Sequence, residues 1–139
     1  MTLLEVMLSV AIIIVLAGSS VPVSNYFQNK NEVDAERNAI VSSLRRAQAL
    51  AQDMSGDSAW GVKIELGKVT LFQGNDYNSR NDSFDEIFDF SETIIPSGIN
   101  EIVFSKIWGE PNISGIINLM GPNNETSQIQ INTKGMIDY

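Results

Sequence analysis

Residues 1–23 read MTLLEVMLSVAIIIVLAGSSVPV, and this stretch decides how the rest of the chain is understood. Its only charged side chain is Glu5, and from Val6 to Ala17 its sole polar residue is Ser9. With the apolar flanks Leu3, Leu4, Val21 and Val23, the run approaches the ~20 residues that span a bilayer as a helix. A cleaved secretory signal is one reading, with Ala17-Gly18-Ser19 as the small-residue site, but a signal wants a basic start and no Lys or Arg precedes Lys30. A plain membrane anchor is a second reading. It explains the apolar run but not Glu5, because a carboxylate inside a membrane span costs ~2.5–3.5 kcal/mol.

Outside this stretch the composition excludes several classes of chemistry. The chain has 139 residues, no His and no Cys, and a formal net charge of -8 from 9 Lys+Arg against 17 Asp+Glu. There is no disulfide, thiolate nucleophile, His-based triad or Cys/His zinc site. The acid excess argues against a protein that tracks phosphates along nucleic acid. From Ser55 onward five bases face twelve acids, so nearly all of the excess sits beyond the N-terminal half.

A third reading of residues 1–23 accounts for both the apolar run and its one acid. Thr2, Leu3, Leu4, Glu5, Val6, Met7, the run through Ala17 and Pro22 resemble the N-terminus of mature type IV pilins and type II secretion pseudopilins. The chain departs from that family at Met1, where Phe is usual, and at Ile14, where Gly is common. The resemblance implies a leader ending in Gly, cut by a membrane-bound prepilin peptidase ahead of Met1, and methylation of the new amine. It implies residence in the bacterial inner membrane, handling by an inner-membrane assembly platform, and then assembly into a filament of identical subunits at the cell surface. An ionised carboxylate in hydrocarbon needs a partner. The apolar segment offers no basic side chain, so Glu5 is expected to meet its own terminal amine or that of a neighbouring subunit. Such a pair would fix the axial register, with Thr2 beside it. The alternative is that Glu5 rests at the headgroup surface. Gly18 and Pro22 are poor helix residues, so a kink or unwound stretch is expected over 17–23. In the family's filaments, the corresponding region melts on assembly.

From about Ser24 to Met54 the pattern becomes an amphipathic helix. Val33, Ile40, Leu44, Ala47, Ala51 and Met54 form the apolar stripe, and Lys30, Glu32, Asp34, Glu36, Arg37, Arg45, Arg46 and Gln48 are assigned to the polar face. A helix from 1 to about 54 is ~80 Å long, with Met54-Ser55-Gly56-Asp57 as its stop. Beyond Gly56 the period becomes two. Trp60, Val62, Ile64 and Leu66 alternate with polar residues, Gly67-Lys68 turns, and Val69–Gln73 returns as a second strand. Residues 75–92 read as a long acidic loop. Short strands are expected at Ile94-Ile95 (ended by Pro96-Ser97-Gly98), Ile99–Ser105, Ile116–Met120, Thr126–Asn132 and Met136-Ile137. The fold class is therefore α+β: a long N-terminal helix, with a hydrophobic first half at 1–23 and an amphipathic second half at 24–55, packed on an antiparallel β-rich head at 56–139.

The segments LRRAQALAQ, WGVKIELGKVTLF, IPSGINEIVF and IQINTKGMI resemble GspH/FimT-like pseudopilins and minor pilins. Some members of that branch bind DNA through basic residues, and the acidic head here argues against nucleic acid as a partner. Asp76, Asp82 and Asp85 are weak calcium candidates, because Asp76-Tyr77-Asn78 opens like an EF-hand loop that Arg80 and Asn81 then break. The other reading of this run is a solvated acidic loop. Trp60, Phe72, Phe104 and Trp108 read as core aromatics or subunit contacts. No enzyme activity and no cofactor is expected. The function expected is a filament subunit, with a minor pseudopilin at the tip of a secretion or DNA-uptake pseudopilus as the alternative. A membrane-anchored binding domain that never polymerises is a third possibility.

Overall fold

The computed structural model describes residues 2–19 and 21–139, and the side chains of residues 19–30 and of 123 lie outside that description. Helix α1 runs Leu3–Ser19 and helix α2 runs Val21–Gln52. Eight strands follow: β1 Trp60–Glu65, β2 Lys68–Gln73, β3 Asn81–Asp89, β4 Ile95–Gly98, β5 Glu101–Phe104, β6 Gly115–Met120, β7 Thr126–Ile131 and β8 Ile137–Asp138. They form two four-stranded antiparallel sheets, ordered β3-β2-β1-β5 and β4-β6-β7-β8. The expected α+β class, a long helix on antiparallel β-structure, is what the chain adopts.

The stripe on α2 is the organising surface. Val33, Ile40, Leu44, Ala47 and Ala51 are all buried, together with Val41, and they meet the inward faces of both sheets in one cluster. Trp60, Val62 and Ile64 enter it from β1, Val69 and Leu71 from β2, Ile102 and Phe104 from β5, Ile117 and Leu119 from β6, and Ile129 and Ile131 from β7. Period-two alternation puts these residues on one side of each strand. Met54 does not belong to the stripe and is 50% exposed. The helix ends at Gln52, two residues before the expected stop, and Met54 takes a left-handed φ of 53°. That conformation ends helical hydrogen bonding and swings Met54 off the apolar face.

The β1–β2 hairpin turns at Leu66-Gly67, with Glu65 opposite Lys68 and Gly67 at φ 76°. Leu66 is in the turn and exposed rather than in the strand. On the outer side of this sheet Ala59, Phe72 and Val103 form a small second cluster covered by Tyr77. Gly61 is needed there, since a Cβ at that position would stand 2.5 Å from the Phe72 ring.

Two further expectations, both about strands, fail in the head. Residues 75–92 are not all loop: Asn81–Asp89 is an edge strand, pairing Lys68 with Asp89, Thr70 with Ile87 and Leu71 with Glu86. Its side chains contribute little to the core, so the apolar alternation that marks a half-buried strand is missing. Its Asp and Glu residues suit an exposed sheet edge. Pro96-Ser97-Gly98 does not end a strand but lies within β4. That strand is also a sheet edge, where a missing proline N–H leaves no ladder bond broken.

Candidate assembly surface

Helix α1 presents apolar side chains on every side, with exposures running from 49% at Val6 to 82% at Leu3. A helix that is hydrophobic all round belongs in an apolar environment, because no orientation on an aqueous surface hides it. At 17 residues it is ~25 Å long. Among the described residues, no helix is long and apolar enough to cross a membrane.

The start of α1 is built by a cap. Thr2 Oγ1 accepts from the Glu5 amide at 3.4 Å, and the Thr2 carbonyl accepts from the Glu5 and Val6 amides at 3.1 and 3.3 Å. Thr2 thus satisfies orphan donors of the first turn, with Glu5 at the third helical position as in a capping box. An acid there also complements the positive end of the helix dipole. Ser9, the other polar side chain of the run, donates to the Glu5 carbonyl at 2.8 Å and so hides its hydroxyl within the helix. Among the described residues Glu5 has no ionic partner. Met1, whose amine is one of the two expected partners, lies outside them.

Gly18 is in α1, and no atom lies within 4 Å of where a Cβ would stand. Pro22 is the second residue of α2. The expected kink over 17–23 includes Ser20, which lies outside the described residues.

The acidic loop holds itself together. Asp76 accepts from the Asn78 and Ser79 amides at 3.0 Å each and from the Ser79 hydroxyl, and these bonds lower its pKa from the ordinary value. Asp85 takes both bonds from Arg80 Nε, at 2.8 and 3.1 Å, while the Arg80 guanidinium lies 3.8 Å from the Tyr77 ring centre. Asp82 is exposed on β3, close enough to Arg80 to favour its charge. No three His, Cys, Asp or Glu side chains converge among the described residues. The carboxylates of Asp76 and Asp85 are therefore already engaged in fixing the loop against the outer face of the first sheet.

Three residues carry more than the sequence reading gave them. Glu36 was assigned to the polar face, yet it is only 3% exposed. It lies three residues after Val33 and four before Ile40, on the core face of α2. That spacing was the signal available in the sequence. Its Oε2 has no hydrogen-bond partner, and burial pushes its pKa up from the ordinary value to about 7. Gln48, also assigned to the polar face, donates through Nε2 to the Gly109 and Gly135 carbonyls at 3.0 and 3.1 Å. It thereby ties two loops to α2. Trp108 is 75% exposed and is not a core aromatic. Its loop includes Ile107, a β-branched residue at φ 75°. Trp60, Phe72 and Phe104 are buried as expected.

Comparison with known proteins adds no relative: no family model, curated protein or solved structure matches the chain.

Proposed function

We propose that the chain is a structural subunit that polymerises through α1 into a type IV pilus-like surface filament. One observation supports this reading above the rest. A head with its own closed core carries a helix whose apolar side chains are exposed on all sides, with a single carboxylate in its first turn. Sister helices of further copies would cover that surface. Hydrophobic burial drives the association, and Glu5, facing the amine of the adjacent subunit, selects the axial register. The inner membrane holds the subunit only before assembly. The head's seven excess acids, five bases against twelve, keep crowded subunits soluble on the fibre surface.

The test is Glu5→Ala in cells that contain a prepilin peptidase and an assembly platform. Surface fibres are expected to disappear while the head keeps its fold, and the wild-type N-terminus is expected to carry a methylated Met1 by mass spectrometry. Fibres at normal yield from the variant would sink the register mechanism. A wild-type subunit found only at fibre tips would favour the minor-pseudopilin reading.

A further inference from the structure

We infer that Glu36 makes the seam between α2 and the head a pH-sensitive latch, closed while its carboxyl is protonated and loosened when it ionises. The seam is short of hydrogen-bond partners. Among the described residues, five buried side-chain atoms lack one, and four of them belong to Glu36, Arg37 and Glu125. The three residues come from facing elements. Glu36 and Arg37 are on α2, one turn from Val33, and Glu125 leads into β7. The two sides meet at Gly121, where a Cβ would stand 2.4 Å from Val33 Cγ2 and 3.9 Å from the Glu125 Cβ.

Among the described residues, no charged group nearby takes up the Glu36 Oε2. On α2 itself, Arg37 bonds Asp34 at 3.3 Å and lies 5.6 Å from the Tyr139 ring centre, while Glu32 is exposed. Strands β6 and β7, packed on α2, carry no titratable side chain. On β1, β2 and β5 the charges pair among themselves, Lys63 with Glu101 and Lys68 with Glu65. Asp57 in the turn after α2 pairs with Lys106, α1 offers only Glu5, and β8 offers Asp138, with the phenol of Tyr139 just beyond it. Glu125, beside Gly121 on the head side of the seam, is a second acid and offers no cation either. Among the described residues, ionised Glu36 therefore gains no cation, and its Oε2 is shut away from water.

The sign follows from the two protonation states. Unfolded, Glu36 ionises near 4.5; folded, near 7. Its contribution is whole below pH 4.5. It is lost as pH rises through 7, because over that window the folded chain holds a proton that the unfolded chain has released. The unfolding constant should rise on the order of 100-fold between pH 5 and pH 8.5 through this group alone.

The experiment follows thermal unfolding of the full chain in detergent micelles from pH 5 to 8.5. Wild type should lose stability with rising pH, and Glu36→Gln should lose most of that slope. An unchanged slope in Glu36→Gln would overturn the latch. A second measurement covers a variant that fails to fold: the Glu36 side-chain carboxyl resonance of the wild-type protein, followed by NMR. A midpoint near 7 supports the latch, and a midpoint below 5 overturns it. Neither readout depends on whether the chain polymerises.

Discussion

Leu8→Ala separates a helix that serves assembly from one that serves the head. Leu8 lies in the first half of α1, is 60% exposed, and belongs to no core cluster of the head. The substitution removes three carbons, worth about 2.4 kcal/mol when fully transferred from water. Only the exposed 60% remains to be buried by neighbouring copies, which leaves about 1.4 kcal/mol per subunit. That is about a tenfold rise in the critical concentration for fibre growth. The assay is pelleting of fibres formed when detergent is diluted away, alongside thermal melting read from the buried Trp60. The account expects a critical concentration about tenfold higher with the head's melting temperature unchanged. Fibre growth at the wild-type concentration, or a head that melts several degrees lower, would refute the reasoning, because Leu8 would then be buried elsewhere.

Two further substitutions probe the head. Leu44→Ala leaves a cavity where α2 meets both sheets and should cost about 3–5 kcal/mol in denaturant unfolding; a loss under about 1 kcal/mol would mean the seam collapses around it. Gln48→Ala removes both anchors of the Gly109 and Gly135 carbonyls, so a loss of about 1–3 kcal/mol is expected. Amide exchange in that variant should speed up in the two tethered loops before it does so in β1.

What the sequence disclosed tracked how regular each solvation boundary is. The α2 stripe was legible from Val33 to Ala51 because a helix packed on one side repeats its apolar residues at helical spacing. The same rule, applied to Glu36, would have placed a carboxylate in the core, but its charge led to the opposite assignment. Strand β3 was hidden because it is held by ladder bonds to β2 rather than by burial, and periodicity registers only burial. The division into two sheets was hidden for a different reason. The chain passes from β3 in one sheet to β4 in the other and back to β5, which pairs with β1 across the hairpin. Local patterns say that strands pair, and long-range packing decides which ones. Trp108 misled because a large aromatic ring suggests burial, while in the fold it stands exposed beside the left-handed Ile107. The candidate assembly surface was the most legible part, since an apolar run broken only by Glu5 and Ser9 needs no tertiary information to be recognised.

The most direct test of the central claim is immunogold electron microscopy of cells bearing the protein, with antibody raised against the head. If the chain is the repeating subunit, gold should decorate surface fibres along their whole length. Gold confined to the cell envelope, with no labelled fibre, would contradict the account.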